Sequence, residues 1–306
     1  LADEVAVMHQ GKIIARGKPD ALIAPWWTSF WSLPLRSVLR KLSNLSPETA
    51  RVLLCHNVSD HAAGALHHFL TLGAFFSADA FVVHAESDRD RLARRIGNRP
   101  IAVLPHPVVD ATVPPRDLAR RELGITTPLV LFLGLVRRYK GVDVLLEAAP
   151  RIVRETGATI AVVGEVFPEA RHLTRRWEHS SVRSSVLWCD EYVPEDEMWR
   201  WLAASDVVVL PYRYVSGSGI AARAIAARRP MAAAAVGGLA ETVRPGVTGE
   251  LFAPADPNAL ADAVARIIER GVGFYEPGLA GAAEQASWPR YVDGLLSFLG
   301  SLKADS

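Results

Sequence analysis

The chain has 306 residues, half of them hydrophobic, and 34 Lys plus Arg stand against 33 Asp plus Glu, for a formal net charge of +1. That length accommodates two domains with a core each, and the near-neutral balance removes the general electrostatic reason to expect nucleic acid. Cys55 and Cys189 are the only cysteines, too few for a disulfide framework or a four-cysteine metal site. No apolar run reaches the roughly 18 residues of a membrane span, so a reducing, cytoplasmic setting is expected.

The opening LADEVAVMHQGKIIARGKPDAL resembles the segment after the switch histidine of transporter-type ATPases, yet no phosphate-binding motif of such an ATPase follows. The chain starts on a structured pattern without an initiator Met, as a fragment or a processed form does. Residues 25–42, PWWTSFWSLPLRSVLRKL, set Trp26, Trp27, Phe30 and Trp31 beside Arg36, Arg40 and Lys41. Aromatic rings next to cations suit the interface of a membrane, so peripheral contact with its inner face is one reading. Packing of the rings against the first domain is the other.

Short apolar runs then recur: RVLLC at 51–55, DAFVV at 79–83, PIAVL at 100–104, PLVLFL at 128–133, ATIAVV at 158–163, SSVLW at 184–188, DVVVL at 206–210 and MAAAA at 231–235. Between them lie segments such as 143–155 and 256–269 with apolar residues every three or four positions, which predicts parallel strands covered by helices. The breaker-rich PHPVVDATVPPRD at 105–117 marks a hinge. The expected organisation is an N-terminal domain over 1–110, a C-terminal domain over 111–285, and a helix over 286–306, anchored by Trp288, that packs across the boundary. The predicted fold class is α/β, with two Rossmann-like domains facing a cleft and an abbreviated N-terminal one; a weaker strand candidate lies at AVM or ALIAP.

Three stretches carry chemistry. In GLVRRYKG at 134–141, Arg137, Arg138 and Lys140 sit at the carboxyl end of a strand, where open α/β sheets take ligands. A lysine point charge and an arginine fork beside a helix start suit a diphosphate; a solvated charged turn is the plain alternative. Ser216, Gly217, Ser218 and Gly219 precede an alanine-rich helix and offer backbone amides to an anion. Val236-Gly237-Gly238-Leu239 forms a further strand-end turn ahead of Glu241. Glu165 follows another strand end, as a ligand contact or an N-cap. His56 and His61 lie in CHNVSDH after a strand of the first domain, and no carboxylate pair has metal-ligand spacing.

The ordered series GLVRRYKG, Leu210-Pro211-Tyr212, SGSG, VGGLAE and Gly246-Val247-Thr248-Gly249, preceded by Cys55-His56-Asn57 and Leu104-Pro105-His106-Pro107, resembles the retaining nucleotide-sugar glycosyltransferases of family 4, which have GT-B architecture. The resemblance implies a nucleotide-diphosphate sugar as donor substrate, no metal or other cofactor, and a carbohydrate or lipid-linked acceptor. It assigns Arg137 and Lys140 to the diphosphate, and Ser216, Gly217, Ser218, Gly219, Gly238, Leu239, Glu241 and Glu165 to the donor. Tyr192 and Val193 border the nucleotide base, and His61 approaches the sugar or acceptor. The chain also departs from the family. An acidic pair expected near Ser216 and at Arg223 or Ala224 is missing, Arg228-Arg229 replaces a glycine before Pro230, and no glycine-rich loop precedes residue 50. A nucleotide-sugar binding or assembly protein without turnover therefore stands as the alternative. A sugar-nucleotide epimerase is a third reading, for which the sequence supplies no acid/base groups around the sugar.

Overall fold

The structure is a computed structural model that describes residues 5–9, 12–17, 20–58, 65–108 and 111–304. Two units partition the chain: Leu1–Pro105 with Tyr291–Ser306, and His106–Arg290.

In the first unit β1 (Val5–His9) and β2 (Lys12–Gly17) form an antiparallel pair. There follow β3 (Ala21–Trp26), α1 (Ser32–Leu45), β4 (Ala50–Cys55), α2 (Ala65–Phe75), β5 (Ala80–Val83), α3 (Glu86–Ile96) and β6 (Ile101–Val103). The four later strands make a parallel sheet in the order β3-β4-β5-β6. Pro25 lies in β3, an edge strand, where its missing N–H costs no central ladder bond. Side chains alternate across the sheet with period 2. Leu53 and Phe81 join Trp26, Leu39, Phe75 and Leu92 on one face, where the Trp26 and Phe75 rings meet edge to face at 5.0 Å. Val52, Ala80 and Val82 point the other way and are covered by Leu295, Phe298 and Leu299 from the helix at the end of the chain.

The second unit contains α4 (Arg116–Glu122), β7 (Leu129–Leu133), α5 (Val142–Thr156), β8 (Thr159–Val163), α6 (His172–Glu178), β9 (Val186–Cys189), α7 (Glu195–Ala204) and β10 (Val207–Leu210). It continues with α8 (Gly219–Ala226), β11 (Met231–Ala234), α9 (Gly237–Thr242), β12 (Gly249–Phe252), α10 (Pro257–Arg270) and α11 (Val272–Gln285), and α12 (Trp288–Ala304) closes the chain. Six parallel strands lie in the order β12-β11-β10-β7-β8-β9. The chain winds outward from β7 to β9 and then returns to place β10 on the other side of β7. Strands β7, β10 and β11 are buried along their whole length, which is why LVLFL and VVVL are continuous apolar runs rather than alternating ones. Asp206 fixes the start of β10 against β7 by accepting from Leu129 N at 2.8 Å and pairing with Arg120 at 3.0 Å. Helix α10 starts as its sequence dictates: Asp256 accepts from Asn258 N at 2.9 Å and Ala259 N at 3.0 Å, with Pro257 in the first turn.

Two elements stand out less in the sequence. Strand β12 is only GELF, opening on a glycine and carrying a buried Glu250, so no apolar run announces it. Arg228, in the Arg228-Arg229 pair before Pro230, adopts the left-handed conformation, φ 56°. Its guanidinium compensates by donating to Ile225 O at 3.2 Å and Leu279 O at 3.1 Å.

Candidate functional site

The winding reverses between β7 and β10, and open α/β sheets take ligands at the carboxyl ends of the strands beside such a switch point. The loop after β7 runs 134–141, with residues 138–140 in a single 3-10 turn that ends at Gly141. Gly141 has φ 67°, and a Cβ there would lie 1.9 Å from Pro211 O, so only glycine lets the two loops touch. Gly164, at the end of β8, has φ 138° and packs its backbone on Gly134 in the same manner.

Lys140 points into this junction. Its Nζ lies 5.5 Å from the centroid of the Tyr212 ring. It is also 3.2 Å from the place a Cβ on Gly134 would occupy, and Ile220, in the first turn of α8, is 3.6 Å from the same place. Lysine, strand end and helix start therefore converge on one bare glycine. Burial, reinforced by Arg137, pushes the Lys140 ammonium down from 10.5 to about 8. Among the described residues it has no carboxylate partner. Ser218 caps α8 by accepting from Ala221 N at 3.2 Å, and it shares a hydrogen bond with the Tyr212 hydroxyl. Tyr212 is buried, which raises its phenol pKa. Gly219 is the first residue of α8, and Ser216, in the loop before it, is buried.

Arg137 is arranged differently. Its Nε donates to Glu169 at 3.2 Å, and its guanidinium lies 4.2 Å from the Phe167 ring centroid, so it is near enough to act on Lys140 but already engaged. The other predicted residues line the neighbouring strand ends. Glu165 follows β8 with an exposed side chain, while its carbonyl accepts from Val136 N at 2.8 Å. Tyr192 is exposed beyond β9, and Val193 packs partly into the core. These two lie two strands from β7, about 10 Å across the ladder. On the opposite side Gly237, φ 45°, abuts Val215 O, and Gly238 N donates to that same carbonyl at 3.4 Å. Leu239 is buried and Glu241 is exposed on α9. His61 lies outside the described residues.

No motif in the sequence marks Arg213. Its guanidinium bonds Asp143 at 2.9 and 2.5 Å and Arg138 O at 3.0 Å, while its backbone N donates to Tyr139 O at 2.8 Å. Tyr139 in turn stacks on Tyr214 at 5.1 Å. The basic turn and the loop after β10 are thus fastened by one arginine and a pair of aromatic rings. Burial alone would raise the Asp143 carboxyl pKa, but the bonds from Arg213 and from local backbone amides hold it below the usual range. In the first unit His84 Nδ1 faces Leu104 O at 2.9 Å, and its Nε2 faces His56 Nδ1 at 3.3 Å, with Trp27 stacked on His56 at 4.1 Å. Among the described residues no three His, Cys, Asp or Glu side chains are grouped to hold a metal ion, and no helix is long and apolar enough to cross a membrane.

Residues 127–270 match the family described as Glycosyl transferases group 1, and this match spans β7 through α10 with the whole crevice. That segment is a group 1 glycosyltransferase domain. The chain is 31% identical over 239 residues to D-inositol 3-phosphate glycosyltransferase 1 of Catenulispora acidiphila, a match covering 72% of this chain and 57% of that protein. It is 32% identical over 238 residues to the D-inositol 3-phosphate glycosyltransferase of Thermobifida fusca, covering 72% of this chain and 54% of the relative. The chain thus spans about half the length of the curated relatives it matches. Among solved structures, sucrose-phosphate synthase from Thermosynechococcus elongatus superposes with a TM-score of 0.77 at 20% identity, covering 94% of this chain and 74% of the other. Anabaena Alr3699/HepE in complex with UDP-glucose does so with a TM-score of 0.74 at 16% identity, covering 93% and 79%. At such identities the likeness establishes the fold: α/β of the GT-B type, with two parallel sheets.

Proposed function

We propose that the chain transfers a sugar, with retention of anomeric configuration, from a nucleotide-diphosphate sugar to a hydroxyl acceptor, as a family 4 glycosyltransferase. The observation that carries this reading is the Lys140 ammonium: half-buried, depressed to about 8, without a carboxylate among the described residues, and aimed at the junction of β7 and α8. An ammonium in that state is stabilised by an arriving anion, and the capped start of α8 adds amides of the same polarity. The bond from the sugar C1 to the diphosphate oxygen breaks, and the acceptor oxygen bonds to C1 on the same face. The acceptor proton passes to the departing phosphate, leaving a glycoside and a nucleoside diphosphate. Negative charge grows on the leaving group as its bond to C1 breaks, so Lys140, with Arg137 swinging from Glu169, stabilises the transition state more than the ground state. The two cations do this without a metal ion, so turnover is expected to persist in EDTA. Ser216 to Gly219, Gly238, Leu239, Glu241 and Glu165 hold the donor, Tyr192 and Val193 its base, and His61 the sugar or acceptor.

The two relatives named above make inositol 3-phosphate the first acceptor to try, followed by lipid-linked sugars and simple glycosides. The test is release of nucleoside diphosphate from a panel of nucleotide sugars with these acceptors, with the product anomer read by NMR. Lys140→Ala should lower kcat/KM by at least about 100-fold, the scale of one removed charge stabiliser. If no nucleoside diphosphate or nucleotide sugar binds the wild type, or if Lys140→Ala binds it equally well, the reading fails. A second reading, nucleotide-sugar binding without turnover, is favoured by the missing acidic residue, expected at Arg223 or Ala224; Arg223 instead pairs with Glu195 at 3.7 Å. Binding without release across the acceptor panel would select it.

A further inference from the structure

The first unit holds a cationic concavity of its own. Between α1 and α2 lies a cavity of about 560 Å³ lined by Arg36, Arg40, Asn44, Arg51, Phe76 and Ser77 among others. Arg51 is the second residue of β4, and from there the strand runs roughly 15 Å to its carboxyl end near His56. The cavity therefore lies at the amino ends of these strands, opposite the end at which such sheets take their substrates.

The three guanidiniums are unequal. Arg51 is committed to Asp79: its Nε donates to Oδ2 at 2.7 Å, a second N–H meets Oδ1, and its backbone N donates to Oδ2 at 2.8 Å. Arg36 and Arg40 have no carboxylate partner among the described residues, and Arg36 Nε is sealed from solvent without a hydrogen bond. The ordinary task of an arginine beside a helix end is to cap its last carbonyls, and at the end of α2 that task is filled. Leu72 O accepts from Phe76 N at 2.8 Å, Gly73 O from Ser77 Oγ at 2.9 Å, Ala74 O from Ser77 N at 3.0 Å and Phe76 O from Arg99 at 3.3 Å. Arg36 instead lies across Gly73, with an N–H nitrogen 3.1 Å from where a Cβ would be. A glycine inside a helix is less favourable than alanine, and its gain here is the seat for this guanidinium. Phe69, Phe76 and Leu33 are exposed around α1 and α2.

We propose that this cavity is a binding site for a phosphate group, gripped by the Arg36 and Arg40 forks one helical turn apart, with the Ser43 hydroxyl and the Asn44 amide completing its shell. Uncommitted guanidiniums at i and i+4 match the geometry of a phosphate, which their terminal N–H groups can grip by charge-assisted bonds. The phosphate belongs either to a soluble phosphorylated compound or to a phospholipid headgroup, whose acyl side the exposed rings would meet. The site goes beyond the donor crevice and is independent of the function proposed for it.

The experiment uses the full chain carrying Lys140→Ala, which weakens the donor site, and the Arg36 and Arg40 substitutions separate the remaining signal. Inorganic phosphate is titrated by calorimetry, and sedimentation is measured with vesicles of phosphatidylcholine containing a quarter phosphatidylglycerol, against pure phosphatidylcholine. At least one probe is expected to bind and to lose at least ten-fold in affinity when Arg36→Gln and Arg40→Gln are added. Arg40→Glu alone, on an exposed helical position where folding is not at risk, should do the same. Phosphate binding without vesicle binding identifies a soluble ligand, and vesicle binding that requires phosphatidylglycerol identifies a headgroup. If neither probe binds, or if binding survives both sets of substitutions, the proposal is wrong. A failure of Lys140→Ala to affect nucleotide binding would overturn the function proposed above and leave this site untouched.

Discussion

Lys140 has an ordinary amine pKa of 10.5 in the unfolded chain and about 8 when folded. Folding thus binds fewer protons to this group between those values, so its contribution to stability is least below about pH 8 and improves as pH rises toward 10.5. Anion binding has the opposite demand, because only the ammonium attracts a diphosphate. Affinity for a nucleoside diphosphate should therefore fall above about pH 8, by up to ten-fold per pH unit. Calorimetric titration from pH 7 to 9.5 checks this, and Lys140→Ala should flatten the slope over that range. The lysine itself is legible in the sequence, since its place after an apolar strand and before a helix is enough to nominate it. Its solitude is not legible: which cations find a carboxylate, as Arg137 finds Glu169, depends on loops 32 residues apart.

At the scale of elements, the loops after β7 and β10 behave as one piece. Arg213 and Asp143 join them across 70 residues of sequence, a separation at which no spacing rule operates, and this is why the sequence reading passed over the clamp. The strands were readable because burial on both faces leaves uninterrupted apolar runs, whereas β12 was hidden by its glycine and its buried Glu250. The junction between the loops rests on backbone touching backbone at Gly141. Gly141→Ala must either abandon a left-handed φ of 67° or push Pro211 away, at a cost of at least about 2 kcal/mol. Chemical denaturation should register that loss, and nucleoside diphosphate affinity should drop further than the small change in side chain alone would suggest.

At the scale of the molecule, the two units have separate cores, so a single all-or-none transition is not expected. The first unit leans on α12, whose Leu295, Phe298 and Leu299 cover the face presented by Val52, Ala80 and Val82. Leu299→Ala should destabilise that unit by about 2 kcal/mol, near the low end for a core leucine because the side chain is only partly buried. In scanning calorimetry the substitution should lower one transition and leave the other in place, while a nucleoside diphosphate should raise the second. The terminal helix was anticipated from its own periodicity, but its partner strands were not. Val52, Ala80 and Val82 are a small patch whose need for cover shows only when the strands are placed side by side.

The contacts of Gly141, Gly164 and Gly237 bear on how this site could be redesigned. Each would drive a Cβ to 2.4 Å or less from a carbonyl oxygen, so asparagine, which tolerates the left-handed region elsewhere, is no substitute here. A combinatorial library aimed at new donors should hold these three codons constant and spend its diversity on side chains that reach solvent, such as Leu135 and Tyr192. Selection would then sort variants by what they recognise rather than by whether the loops still close.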